Sequence, residues 1–314
     1  MNDTVLVTGG AGFIGSHLVE ALISAGRLVR VLDNFSTGVR SNLRGLEPAP
    51  EVIEGDVADA DAVAQAMGGV DTVFHLAALA SVQFSVENPV ASHRACATGT
   101  VNVLDAARKA GVRRIVYAGS SSAYGNPRAE VQGEAEALHP LSPYAAAKLA
   151  GELYAEAFAA SYGLEAVRVR FFNVFGPRQR ADSPYSGVIA IFTAAMTGGR
   201  APTVFGDGLQ SRDFVYVADA VQALLRAAEM PGVSSRVYNI GTGKRVTVLD
   251  LAAALNKILG TRLTPQFAPP RQGDVRHSCA DISRATRELG YAPAIGFEEG
   301  LARTLQWYRD AGIS

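Results

Sequence analysis

Thr4-Val-Leu-Val-Thr-Gly-Gly-Ala-Gly-Phe-Ile-Gly15 (TVLVTGGAGFIG) decides how the rest of the chain is read. A short apolar run of strand length leads into a turn with glycine at 9, 12 and 15. Helical patterning follows from about Gly12 to Ala25, and Gly26 stops it. Strand, glycine turn and helix in this order suit a dinucleotide. The turn needs permissive dihedrals, a pyrophosphate needs bare backbone beside it, and the helix must pack closely on the strand. The helix N-terminus then offers unpaired N–H groups and a positive dipole end to the phosphates. A second strand, Leu28 to Asp33, ends in an acid eighteen residues beyond Gly15. A carboxylate there accepts hydrogen bonds from both ribose hydroxyls of NAD and repels the 2′-phosphate of NADP. The blander alternative for Asp33-Asn34 is a solvated turn. Asp56, ending a third strand, reads as a contact to the adenine edge, as the N-cap of the next helix, or as both.

Working outward, strand and helix keep alternating. Strands are expected at Glu51–Gly55, Val70–His75, Arg113–Ala118 and Glu165–Phe171. Helices are expected near Asp59–Met67, Val90–Ala110 and Tyr144–Tyr162. This spacing predicts an α/β fold of the Rossmann kind, a doubly wound parallel sheet with helices on both faces. After Asn173 the rhythm breaks, and proline and glycine cluster at Gly176-Pro177, Pro184, Gly198-Gly199 and Pro202. The expected organisation is a dinucleotide-binding domain over 1–173, rejoined around 213–243. A smaller α/β substrate domain takes 174–212 and 244–314.

Composition removes several classes of function. The chain has 314 residues, with Lys+Arg 29 against Asp+Glu 30 and a net charge of −1. That balance argues against nucleic acid or anionic lipid as a partner. With 48% hydrophobic and 19% charged residues, disorder is excluded. Cys96 and Cys279 are too few for a disulfide framework, and the five histidines include no metal-spaced pair, so no metal is expected. Ser183–Gly199 is uncharged but holds Pro184 and three glycines, and does not read as a membrane span. No basic leader precedes the first strand. The expectation is a soluble protein of a reducing cytoplasm, with no nucleic-acid or membrane partner.

A catalytic set is legible downstream. Tyr144 and Lys148 are four apart on a helix and share a face. Ser120-Ser-Ser-Ala-Tyr-Gly125 lies at the end of the fifth strand, where ligands of parallel sheets bind. A serine there and the Tyr/Lys pair can converge on one substrate hydroxyl. Free tyrosine has a pKa near 10 and is a poor base at neutral pH. A nearby ammonium and a positive nicotinamide ring favour the phenolate. The alternative is a helix-face aromatic, a solvated lysine and loop-capping serines.

These pieces together resemble the extended short-chain dehydrogenase/reductase family, in its UDP-sugar 4-epimerase branch. The resemblance covers essentially the whole chain. It rests on Thr8–Gly15, Asp33-Asn34, His75-Leu-Ala-Ala78, Ser120–Gly125, Tyr144–Lys148, Arg170-Phe-Phe-Asn173, Gly206-Asp-Gly208, Arg212-Asp213 and Arg271-Gln-Gly-Asp274. It implies a catalytic set of Ser120, Tyr144 and Lys148. Its NAD site would be Gly9, Gly12, Phe13, Ile14, Gly15, Asp33, Asn34, Asp56, Val57, Leu76, Ala77, Ala78 and Phe171, with Tyr144 and Lys148. The UDP-sugar would be held in the smaller domain. Ser121, Ser122 and Val188 would line the sugar, and Asn173, Arg212 and Arg271 would meet the diphosphate. Phe205 would stack on the uracil, Asp274 would meet its ribose, and Ser278 would stand beside the sugar's 2-substituent. A small residue at 278 implies room for an N-acetyl group. The resemblance also implies a homodimer through a four-helix bundle of the Val90–Ala110 and Tyr144–Tyr162 helices. Arginines paired to Asp207 or Asp213 are the plainer alternative for Arg212 and Arg271.

Two departures are visible. Cys96 stands where the family often has asparagine, and Ala80 where some members carry lysine. The expected activity is NAD-dependent 4-epimerisation of a UDP-hexose through a 4-keto intermediate, with NAD tightly bound. A UDP-glucuronate epimerase or decarboxylase is the alternative. A 4,6-dehydratase is disfavoured because Ser121-Ser122 replace its Asp-Glu acid. A non-catalytic NAD-sensing scaffold is disfavoured because Tyr144 and Lys148 are both present.

Overall fold

The computed structural model describes residues 4–127, 129–180, 187–270 and 275–312. The first half alternates strand and helix: β1 (Thr4–Thr8), α1 (Phe13–Ser24), β2 (Leu28–Asp33), β3 (Glu51–Glu54), α2 (Ala60–Met67) and β4 (Val70–His75). Two short helices follow, α3 (Val82–Glu87) and α4 (Pro89–His93), then α5 (Gly99–Ala110), β5 (Arg114–Ser120), α6 (Pro143–Tyr162) and β6 (Glu165–Phe171). The remainder is β7 (Asn173–Phe175), α7 (Val188–Thr197), β8 (Thr203–Phe205), β9 (Ser211–Arg212), β10 (Phe214–Tyr216), α8 (Val217–Glu229), β11 (Val237–Ile240), β12 (Val246–Thr247), α9 (Val248–Leu259), β13 (Gln266–Ala268), α10 (Ser283–Leu289) and α11 (Phe297–Asp310).

Seven strands form one parallel sheet in the order β11-β6-β5-β4-β1-β2-β3. The expected doubly wound sheet is therefore present. Along β1 the side chains alternate faces, as a two-residue period requires. Val5 and Val7 pack with Leu18 and Leu22 of α1 and Leu224 of α8, whereas Leu6 packs with Val63 of α2 and Val103 of α5. The strand order reverses between β1 and β4, which opens a crevice at their carboxyl ends.

The expected helix near Val90–Ala110 is interrupted. Pro89 starts α4, and Arg94–Thr98 then makes a wider π-helical turn before α5. The Thr100 hydroxyl donates to the Cys96 carbonyl at 2.5 Å inside that turn. Gly99 lies so close to Val57 that a Cβ would fall 2.5 Å from Val57 Cγ2. A further short helix, α3, was not expected there.

A second core gathers Phe175, Phe192, Val204, Phe214, Tyr216, Leu251 and Leu301. The rings of Phe214, Tyr216 and Phe297 surround Phe175 at 6.2, 5.7 and 5.8 Å. Here strands pair as β7 with β10, β8 with β13 and β9 with β12. Asn173 opens β7 directly after β6, Phe205 ends β8 and Arg212 ends β9.

Candidate active site

The glycine turn is shaped to exclude side chains. Gly9 has φ +72° and lies against β4's end, where a Cβ would stand 2.8 Å from Ala77 N. A Cβ on Gly15 would stand 2.1 Å from the Gly9 carbonyl oxygen, so α1 could not approach its turn. Gly12 precedes α1 and offers no side-chain cap to its first N–H groups. A cradle that any side chain would fill, opening a helix at the strand reversal, fits a dinucleotide pyrophosphate. Phe13 and Ile14 begin α1 and pack toward the second core.

Asp33 ends β2 nearly buried, 7% exposed. Its two oxygens accept from Ala11 N at 2.9 Å and from Phe35 N at 2.8 Å. The carboxylate thus braces the glycine turn, and each oxygen keeps a lone pair for a ribose hydroxyl. Asn34 donates to Asp56 Oδ2 at 3.1 Å. Asp56 accepts from Ala58 N, while the N-cap of α2 is Asp59. The helix-cap alternative for Asp56 therefore belongs to a residue three positions later. Val57 is buried, and its carbonyl accepts from Asn102.

Leu76, Ala77 and Ala78 follow β4. Leu76 N donates to the Thr8 carbonyl and Ala77 N to Thr8 Oγ1. His75 beneath them is fully buried. The Thr100 hydroxyl gives its proton to the Cys96 carbonyl, so Thr100 Oγ1 accepts from His75 Nε2–H at 2.9 Å. His75 Nδ1 then accepts from the Thr8 hydroxyl at 2.7 Å. Burial, and then the charge of Lys148, push His75 down to about 3, so the ring is neutral. In the sequence His75 belongs to the His75–Ala78 stretch, and nothing local signals its hydrogen bonds to Thr8 and Thr100.

Ser120 ends β5, in register with Phe171 of β6. Its Oγ accepts from Ser122 N at 3.2 Å and from Ser122 Oγ at 2.9 Å. Ser121 opens the short turn Ser121–Tyr124. Ser142 caps α6 and Pro143 takes its first position, which sets Tyr144 in the first turn and Lys148 one turn later. Burial drives the Tyr144 phenol well above its ordinary range, the nearby Cys96 adds to this, and the hydroxyl of Ser120 only partly offsets it. Burial therefore keeps Tyr144 a phenol at neutral pH in the protein alone. Lys148 is 3% exposed, and burial lowers its pKa against the opposing pull of Cys96 and Glu152.

In the second half of the chain, Asn173 donates through N and Nδ2 to the Asp213 carbonyl at 3.0 and 3.3 Å. Phe205 is half-buried, and its carbonyl accepts from Gln210 Nε2. Val188 begins α7, half-buried. Arg212 donates to the Ser211 carbonyl at 2.9 Å. Asp213 accepts instead from Thr242 N and Oγ1, Gly243 N and Ala280 N. Asp207 pairs with Arg276 at 2.8 Å. Ser278 N donates to the Ser211 carbonyl, and Cys279 N to Gln132 Oε1. The segment after Ser278 is thus stapled on both sides by buried polar side chains, Asp213 and Gln132. Neither staple had a sequence signal beyond the acid next to Arg212. Arg271 and Asp274 lie outside the described residues.

An open groove of about 500 Å³ between α1 and α8, lined by His17, Glu20 and Arg226 among others, contains none of these site residues. Among the described residues no three His, Cys, Asp or Glu side chains gather to hold a metal, and no helix is long and apolar enough to cross a membrane.

A nucleotide cradle beside a Ser/Tyr/Lys set defines an oxidoreductase-like α/β class. The comparisons narrow it: residues 5–241 match the NAD dependent epimerase/dehydratase family, and the chain belongs to that family. NAD as cofactor is thereby met at the level of the family. A curated relative, the UDP-glucose 4-epimerase of Mycolicibacterium smegmatis, is 40% identical over 309 residues, covering 97% of this chain and 98% of the relative. The crystal structure of a UDP-glucose 4-epimerase from Thermotoga maritima with UDP-glucose is similar at a TM-score of 0.94 and 40% identity, with 98% and 99% of the two chains covered. A UDP-N-acetylglucosamine 4-epimerase from Methanobrevibacter ruminantium, in complex with UDP-N-acetylmuramic acid, is similar at 0.93 and 38%, with the same coverage.

Proposed function

We propose that this chain is a UDP-sugar 4-epimerase that interconverts UDP-glucose with UDP-galactose and UDP-GlcNAc with UDP-GalNAc. The observation that carries the reading is Tyr144 under the influence of the Ser120 hydroxyl, one helical turn from buried Lys148 and packed with Ala78, next to the Ala77 that closes on Gly9. Whole-length likeness to UDP-glucose 4-epimerases supports it.

NAD, when bound, supplies a hydride acceptor that later gives the hydride back, and a positive ring that favours phenolate at Tyr144. Gly9, Gly12 and Gly15 would receive its pyrophosphate, Asp33 its adenine ribose, and Lys148 its nicotinamide ribose. Tyr144 takes the proton of the sugar 4-hydroxyl as the C4–H bond breaks, leaving a 4-keto sugar. It returns that proton when hydride adds to the other face. Proton and hydride both return, so no net oxidation occurs. Ser120 shares the hydrogen bond at the same oxygen, which holds the 4-oxygen against Tyr144. Lys148, nearly dry, stabilises a neighbouring phenolate more strongly than an exposed ammonium would.

Asn173 and Arg212 would meet the diphosphate, Phe205 the uracil, and Ser121, Ser122 and Val188 the sugar. Small Ser278 would leave room for an N-acetyl group. A homodimer through α4–α5 and α6 is part of the proposal, supported by Val90, Leu153 and Tyr154, which are exposed at 78%, 57% and 46%. The test is proton NMR at C4 after incubation with UDP-glucose, UDP-GlcNAc and UDP-glucuronate. The expected result is inversion of the first two. Inversion of UDP-glucuronate alone would replace the hexose reading, and inversion of none would end the epimerase reading.

A further inference from the structure

We propose that Tyr117, on β5 three residues before Ser120, is a positioning residue for Lys148 that grips it at both ends. The Tyr117 hydroxyl donates to the Lys148 carbonyl oxygen at 2.9 Å. The face of the same ring lies 4.5 Å from Lys148 Nζ. One side chain therefore sets both the height of α6 over the sheet and the direction of the ammonium.

The surroundings are built for this grip. Tyr117 is fully buried. A Cβ at Gly151 would stand 2.4 Å from the Tyr117 hydroxyl, so α6 carries glycine where the ring's tip meets it. The His75 ring packs against Tyr117 at 5.8 Å and carries no charge to compete for the ring. Burial keeps the Tyr117 phenol far above its ordinary range, so it remains a donor at every working pH.

Lys148 has few other supports. Among the described residues it forms no ion pair. Glu152, one turn further along α6, is paired with Arg170 of β6, whose Nε donates to both carboxylate oxygens at 3.1 and 3.0 Å and whose Nη2 donates to Oε1. The remaining titratable groups around it are Tyr144 on α6, Cys96 in the π turn and His75 on β4. A dry ammonium with its nearest acid already paired is held by the negative face of an aromatic ring. The ring favours the charged form and opposes the lowering that burial imposes.

The inference rests on the proposed role of Lys148, and the experiment separates the two. The chain has four lysines, Lys109, Lys148, Lys244 and Lys257, so 13Cε-lysine NMR of the NAD-loaded protein yields four titration curves. Lys148→Met identifies the Lys148 signal. Tyr117→Phe keeps the ring, and Lys148 is expected to titrate as in the wild type. Tyr117→Leu removes it, and the Lys148 midpoint is expected to fall by about one pH unit, the scale of a desolvated cation–π contact. In that variant kcat falls while KM for the UDP-sugar holds. Phenylalanines of increasing fluorine content at 117 keep the shape and weaken the ring face. They should lower the midpoint stepwise, and they carry the test if the leucine variant does not fold. An unchanged Lys148 midpoint in Tyr117→Leu or across the fluorinated series overturns the proposal. Wild-type turnover in Lys148→Met overturns the role of Lys148 itself, and the grip with it.

Discussion

His75 makes a quantitative prediction about acid stability. Its ring is neutral in the fold, with a pKa pushed down to about 3 from the ordinary 6.5. The unfolded chain binds the proton below about 6.5, and the native chain refuses it until far lower. A histidine with a depressed native pKa contributes stability that is complete above its unfolded pKa. That stability is lost as pH falls from about 6.5 toward about 3. Well inside that window the loss is about 1.4 kcal/mol per pH unit. From pH 8 to pH 5 the His75 share is about 2 kcal/mol, and at pH 4 it is about 3 kcal/mol. His17, also lowered by burial, adds in the same direction. The comparison with His75→Gln isolates His75, because every other titrating group is shared. The assay is urea unfolding of both proteins at pH 8 and pH 5. The wild type should lose about 2 kcal/mol more than the variant over that interval. Equal losses in the two proteins would refute a neutral His75 held between Thr8 and Thr100.

Other consequences are equally direct. Tyr144→Phe deletes the acid/base oxygen, and steady-state turnover should fall by at least the ~10²-fold typical of general acid–base catalysis, with UDP-sugar binding retained in calorimetry. Gly15→Ala puts a Cβ 2.1 Å from the Gly9 carbonyl. Overpacking against backbone should weaken NAD roughly tenfold or more, measured as NAD released from the denatured protein. Ser278→Tyr should cut conversion of UDP-GlcNAc by roughly ten- to a hundredfold while sparing UDP-glucose, read by NMR at C4, and equal loss on both would remove the gate.

What the amino-acid sequence determined by itself was local and periodic. The apolar runs of Thr4–Thr8 and Leu28–Asp33, and the alternation of Glu165–Phe171, marked strands at the residues where they occur, because a local pattern depends only on neighbours. The glycine turn was legible for the same kind of reason: at Gly9 and Gly15 no other residue type fits. Tyr144 and Lys148 fell on one helix face by spacing alone, with Ser120 at a strand's carboxyl end. Only the tertiary structure decided how those groups are held and charged. The π turn at Arg94–Thr98 runs into Gly99, which packs on Val57, more than forty residues away. Asp213 faces backbone N–H groups from Thr242, Gly243 and Ala280 rather than its neighbour Arg212. The phenol of Tyr144 is held protonated, and His75 is neutral, because both sit away from water. Periodicity is a property of adjacent residues. Desolvation, and the choice of a hydrogen-bond partner, belong to whichever distant segments the packed chain brings against a group.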